Sequence, residues 1–130
     1  MATIFSRIAS GELPCHKIAE DENYLAFLDI SPLKTGHTLV IPKKETDNIF
    51  DIEDELYKGL FIFAKRVAKA VKKVVPCSRI GMAVIGLEVP HAHIHLVPIN
   101  DADDINFTRP KMVPTNEELV ATAEKIKAAL

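Results

Sequence analysis

His91-Ala92-His93-Ile94-His95-Leu96-Val97-Pro98 alternates imidazole with aliphatic side chains, and that alternation decides the fold. Successive side chains of a β-strand point to opposite faces, so the three histidines share one face while Ala92, Ile94 and Leu96 line the other. The aliphatic face requires a packing layer, which leaves the histidine face free for chemistry. Three of the five histidines in the chain stand within these five residues. Imidazole titrates nearest neutral pH, binds phosphate when protonated and can attack phosphorus when neutral. The strand is read from His91 to Ile99. Arg79 to Ile85 reads as the strand before it, joined by Gly86-Leu87-Glu88-Val89-Pro90 as a tight connection.

Further upstream, Tyr24-Leu25-Ala26-Phe27-Leu28-Asp29-Ile30 is β-leaning and apolar, Ser31-Pro32-Leu33-Lys34-Thr35-Gly36 is a turn, and His37-Thr38-Leu39-Val40-Ile41-Pro42 returns as a strand. So short a connection predicts an antiparallel pair. Between the two strand groups, Leu56, Leu60, Phe63, Val67, Val71 and Val74 recur at three- and four-residue spacing and predict a helix over about 51–75. Asp51, Glu53, Asp54 and Glu55 at its start and Lys69, Lys72 and Lys73 toward its end suit the helix dipole, and Pro76 stops it. Asp101, Asp103 and Asp104 open a loop, and Thr115 with Glu118 has the capping-box spacing for a last helix from about 116. Strands on both sides of a long helix predict an α+β fold with an antiparallel sheet.

A chain of 130 residues, 48% apolar and 26% charged, is one soluble domain with a core of its own. A formal net charge of −2 argues against a polyanion-binding surface, so no nucleic-acid partner is expected, while a small phosphate-bearing ligand needs only local donors. Cys15 and Cys77 belong to no CxxC pair, and a reducing cytoplasm is the simpler inference. Met1 to Arg7 has no basic region leading into an apolar stretch, and no run is long enough to span a membrane; neither a signal peptide nor a membrane role is expected.

Two chemistries fit the histidine strand. Alternate histidines can share a metal ion with a distant third ligand, as in zinc sites, although three same-face positions span about 13 Å at roughly 3.3 Å per residue and converge poorly. Only Glu88 lies nearby to complete such a shell. Alternatively the middle imidazole is a nucleophile flanked by donors, at roughly 6.6 Å to either side, for the charge on a tetrahedral phosphate. Gly86 would then allow backbone to approach the ligand.

His91-Ala92-His93-Ile94-His95-Leu96-Val97 resembles the histidine-triad (HIT) signature, His-φ-His-φ-His-φ-φ, of nucleotide hydrolases and transferases, in the Hint-like branch. Thr3-Ile4-Phe5, Ile8, Leu13-Pro14, Glu20-Asp21, Leu25-Ala26-Phe27, Asp29-Ile30-Ser31-Pro32, His37 and Leu39-Val40-Ile41-Pro42-Lys43-Lys44 follow the family in order and spacing. The resemblance covers about 3–99 of a single 1–130 domain and leaves about 100–130 as a variable tail. It implies a five-stranded antiparallel sheet with one long helix and a C-terminal helix, and a homodimer that joins two such sheets.

By the same resemblance His93 is the nucleophile, forming a transient nucleotidyl-histidine that water resolves. His95 bonds phosphate oxygens or the leaving group, and His91 and His37 hold the nucleophile's ring. Asp29 takes the ribose hydroxyls, while Ile4, Phe5, Ile8, Leu13, Phe27, Leu28 and Ile30 form a slot for the purine. No cofactor and no active-site metal are implied. From the residues alone, Asp29 could equally be a turn residue, His37 a satisfied core histidine, and the apolar set plain core.

Two departures matter. Glu88 stands five residues before His93, where relatives commonly carry a neutral donor; it could be protonated, could meet an amine leaving group, or could turn away. Thr3 and Ser6 occupy the places where some relatives carry a zinc-binding CxxC, so no such zinc is expected. The function expected is a purine nucleotide hydrolase or transferase acting at the α-phosphorus of nucleoside phosphoramidates or related conjugates. A nucleotide-binding module with little catalysis and a dinucleoside polyphosphate hydrolase are the alternatives.

Overall fold

The computed structural model describes residues 2–130. Ten short elements follow one another: α1 (Ile4–Ala9), β1 (Lys17–Glu20), β2 (Tyr24–Leu28), β3 (Thr38–Pro42), a 3-10 turn (Ile49–Asp51), α2 (Asp54–Val74), β4 (Arg79–Ala83), β5 (Ile94–Ile99), a second 3-10 turn (Ala102–Ile105) and α3 (Asn116–Ala128). The strands form one five-stranded sheet in the order β1-β2-β3-β5-β4, antiparallel at each junction. The α+β architecture is thus the one the alternating patterns predict.

The β2–β3 hairpin closes as its sequence dictates. Asp29 Oδ1 accepts the Ser31 backbone N–H at 2.9 Å, and Gly36 takes φ 91° before the chain re-enters the sheet. Alternation then sorts the strands into two faces. Tyr24, Ala26 and Leu28 of β2, Val40 of β3 and Ile94 and Leu96 of β5 join one core cluster with Leu60, Phe63, Ala64, Val67 and Val71 of α2 and Leu119, Ala123 and Ile126 of α3. Leu25, Phe27, Leu39 and Ile41 face the opposite way and cluster with Phe5 of α1.

The caps of the two main helices match the chemistry of their ends. Glu53 accepts the Leu56 N–H at 2.9 Å in front of α2, whose last turn carries Lys72 and Lys73 before Pro76. Thr115 and Glu118 form the reciprocal capping box of α3. At Gly59 the helix touches β2 so closely that a methyl group would collide with the Tyr24 hydroxyl, which donates to Leu56 O at 2.9 Å. No helix of the described residues is long and apolar enough to cross a membrane.

Three boundaries differ from expectation. β5 begins at Ile94, three residues after His91, because the backbone N–H groups of His91 and Ala92 bond outside the ladder, to Val89 O at 2.8 Å and to Thr46 O at 2.7 Å. β4 ends at Ala83 and β2 at Leu28, each two residues early. α1 and β1 carry no long periodic pattern and stand beside the strands and helices expected from the sequence.

Candidate active site

The face of the sheet turned away from α2 and α3 opens into a pocket of about 790 Å³. Leu39 of β3 pairs with His95 of β5, which places the His95 ring on this face, and the His93 ring follows it with centroids 4.9 Å apart. The aliphatic partners Ala92, Ile94 and Leu96 lie in the helix-side core. All four sequence-singled histidines are buried. His93, His95 and His37 line the pocket, whereas His91 stands behind it.

Hydrogen bonds fix the ring tautomers, because backbone carbonyls only accept and backbone N–H groups only donate. His91 Nε2 lies 2.7 Å from Pro42 O and therefore carries its hydrogen there, so Nδ1 is an acceptor. Ser6 gives its single hydroxyl hydrogen to Glu45 at 2.5 Å, and the Thr3 hydroxyl lies 3.2 Å from His91 Nδ1 and 3.3 Å from Ser6 Oγ. The His91 carbonyl in turn accepts from His93 Nδ1 at 2.7 Å. The lone pair of a neutral His93 is thereby left on Nε2. His91 thus holds the next ring through its backbone, and its imidazole anchors α1.

A second chain runs in the complementary sense. Leu33 N–H donates to His37 Nδ1 at 3.0 Å, so His37 Nε2 carries the hydrogen and gives it to His95 Nδ1, also at 3.0 Å. His95 is left with Nε2–H as a donor. One relay therefore makes an exposed lone pair and the other makes an exposed N–H, on rings in edge contact. Burial holds His37 down to about 4 and His95 to about 3 and also lowers His91, so these three rings are neutral near pH 7. The positive charge of Lys111 adds to the effect on His37, and the neighbouring histidines add to that on His95.

Each residue of the expected nucleotide slot reaches the pocket wall. Ile4, Phe5 and Ile8 come from α1 and Leu13 from the loop after it. Phe27, Leu28, Asp29 and Ile30 come from the end of β2, and Glu88 from the loop before the histidines. Phe5 stands edge-on to both Phe27 (5.7 Å) and His93 (4.9 Å), so it belongs to the second core and to the pocket at once. Ile4 and Ile30 are exposed and available to a ligand. Asp29 combines two roles: Oδ1 caps the turn, while Oδ2 lies 3.7 Å from His37 Nε2, and burial raises its pKa. Glu88 is exposed, on the loop that leaves Gly86 at φ 71°.

The residues also bear on metal. Asp29, His37 and His95 could each offer one donor atom, all within 4.8 Å of one another. The two histidine nitrogens already satisfy each other, and among the described residues no buried side-chain nitrogen or oxygen lacks a partner. At the other corner Thr3 and Ser6 present hydroxyls where zinc sites use thiolates, and they are engaged with His91 and Glu45.

Phe107, Thr108 and Lys111 also line the pocket and had no signal in the sequence. The Phe107 ring sits 4.6 Å from His95 and 6.0 Å from His37. The tail reaches the site only because it folds back: Lys34 pairs with Asp104 at 3.0 Å and Met112 N–H donates to Pro32 O at 2.8 Å.

A HIT domain is matched over residues 10–102. Adenosine 5'-monophosphoramidase hnt1 of Schizosaccharomyces pombe is 32% identical over 132 residues, covering 100% of this chain and 99% of its own. Among solved structures, a Hit-like protein from Bartonella henselae superposes with a TM-score of 0.85 at 32% identity over 98% of this chain and 96% of that one. A Zn-bound histidine triad family protein from Mycobacterium smegmatis gives 0.84 at 32% identity over 99% and 93%.

Proposed function

This chain belongs to the HIT domain family, and from that premise we propose that it is a purine nucleotide hydrolase or transferase that works through a covalent intermediate on His93. The observation that carries the proposal is the pair of opposed tautomers. His93 Nε2 has a free lone pair because His91 O holds Nδ1–H, and His95 Nε2–H is a fixed donor because His37 holds its Nδ1. Nucleophile and electrophilic donor therefore stand side by side without a proton transfer to prepare them.

In the first step His93 Nε2 attacks the α-phosphorus, the bond to the leaving group breaks, and that group departs with the electron pair and a proton delivered through water. His95 Nε2–H bonds the charge that gathers on the phosphoryl oxygens or the leaving atom. In the second step water attacks phosphorus, gives up a proton and releases the nucleoside monophosphate with the neutral His93 ring. Asp29, at the mouth of β2, receives the ribose hydroxyls, and Phe5, Ile8 and Phe27 flank the purine.

Nucleoside phosphoramidates are the first substrate class, a reading supported by the phosphoramidase name of the fission-yeast relative. A homodimer joined along the β4 edge is proposed with it, since that edge strand and its continuation expose Met82, Val84 and Ile85. Sedimentation at micromolar concentration should give twice the 14.4 kDa chain mass; a monomer would remove the pairing. The function is tested with His93→Gly: it should bind AMP as the wild type does while losing turnover of adenosine 5'-phosphoramidate by about a thousandfold or more. Wild-type turnover in that variant would end the proposal.

A further inference from the structure

α1 is too short to hold itself in place. Its six residues fall well below the roughly 12–15 at which an isolated helix becomes marginally stable, so contacts with the rest of the fold must set where it lies. It buries one side chain, Phe5. Yet it supplies Ile4, Phe5 and Ile8 to the wall of the pocket, and Phe5 stands edge-on to His93 at 4.9 Å and to His91 at 6.1 Å. The place of α1 therefore decides the shape of the purine slot and one boundary of the His93 ring.

Its polar moorings converge on one exposed residue outside the pocket. Glu45, on the loop after β3, accepts the Thr3 N–H at 3.0 Å and the Ser6 hydroxyl at 2.5 Å through the same oxygen. Those bonds hold its carboxyl below the ordinary carboxylate range, so it is ionised near pH 7. The Thr3 and Ser6 hydroxyl oxygens also lie 3.2 and 3.3 Å from His91 Nδ1, while His91 Nε2–H is spent on Pro42 O at 2.7 Å. Thr46, the next residue of the same loop, accepts the Ala92 N–H at 2.7 Å. Residues 45 and 46 thus tie both α1 and the histidine segment to the end of β3. Among the described residues, and beyond the loop that follows α1, only Glu45 and His91 share a hydrogen bond or ion pair with the side chains of Thr3 and α1.

We propose that Glu45 is a positioning residue: it docks α1 onto the histidine segment and so sets the purine wall and the edge of the His93 ring from outside the pocket. This rests on the nucleotide reading of the pocket and adds to it a residue that touches no substrate. The work is done by the accepting oxygen. One carboxylate oxygen gathers a backbone N–H and a hydroxyl from the first turn, which pins a six-residue helix at two points. Without that oxygen Phe5 is held by packing alone, its ring drifts from His93, and the slot loosens.

The experiment compares the wild type, Glu45→Ala and Glu45→Gln by AMP titration calorimetry, by the nuclear Overhauser contact between the Phe5 and His93 rings, and by urea unfolding. Alanine removes the oxygen. It should weaken AMP binding about fivefold and weaken the ring contact, in protein that is still folded. Glutamine keeps an accepting amide oxygen and should stay within about twofold of the wild type in affinity, with the ring contact retained. An alanine variant that leaves either affinity or ring contact unchanged, whatever its urea midpoint, would overturn the proposal, since Glu45 would then serve stability alone. Glutamine failing as badly as alanine would overturn it too, because charge rather than the accepting oxygen would then matter. A wild type that binds no AMP would sink the nucleotide reading, and the ring contact would then decide the hold of Glu45 on α1 by itself.

Discussion

The two faces of the sheet are made by the same strands and do opposite things. On the helix side Ile94, Leu96, Val40 and Ala26 are fully buried against α2 and α3, and the buried Thr38 hydroxyl beside them is satisfied by Gly36 O at 2.8 Å. On the other side the residues between them, His95 and Leu39 among others, meet a pocket walled by the short α1, the turn after β2, the loop of 85–89 and the returning tail. Period-two alternation lets one strand serve stability with one set of side chains and chemistry with the next. The lesson is that neighbours in sequence should fail in different ways.

His93 and Ile94 give the sharpest contrast. His93→Ala should cut turnover by about a thousandfold or more and lower stability by only about 1 kcal/mol, for the lost bond to His91 O. Ile94→Ala, one residue on, should do the reverse: about 2–5 kcal/mol lost from unfolding free energy, with near-normal turnover per folded molecule. Urea titration beside steady-state kinetics reads both, and a His93 variant that unfolds instead would break the division. Gly59→Ala tests the helix side again. Its methyl group must push the Tyr24 ring off Leu56 O, and about 1–3 kcal/mol should go, with the site untouched.

The site face should also be the acid-sensitive one. His37 and His95 have folded-state pKa values of about 4 and about 3 against an ordinary 6.5, so the unfolded chain takes up protons first. Their neutral, buried form contributes its full stability above pH 6.5 and loses it as pH falls from there toward 3. Urea midpoints should therefore drop between pH 7 and pH 4, and His37→Asn should make that slope shallower. An equal slope in the variant would show that other groups drive it. The smallest effect is expected from exposed Glu88: Glu88→Gln should shift the ratio of activities toward anionic over amine leaving groups by about threefold or less, and leave stability unchanged. No shift across substrates would take Glu88 out of the site.

Much of the fold was legible because it rests on local patterns. The stripe from Leu56 to Val74 marked α2, Pro32 and Gly36 marked the hairpin, and Thr115 with Glu118 marked α3. α1 escaped because it is six residues long and buries a single side chain, Phe5. The start of β5 was misplaced because side-chain alternation continues through His91 and Ala92 after the backbone has left the ladder for Val89 and Thr46. Within the site, spacing singled out the histidines of 91–95, and the resemblance to the family named Asp29, His37 and the apolar slot. Neither marked Phe107 and Lys111, since only the contacts Lys34–Asp104 and Met112–Pro32 carry them there. The tautomers were equally hidden: they depend on Leu33 N–H and Pro42 O, backbone groups that no side-chain pattern reveals.

The central claim is that a neutral His93 Nε2 becomes bonded to phosphorus. Rapid quench of the wild type with adenosine 5'-phosphoramidate, followed by mass analysis of its peptides under alkaline conditions, tests it directly. The expected result is an adenylyl adduct on His93 that forms and decays within one turnover. Turnover with no adduct, or an adduct on His91 or His95 instead, would contradict it.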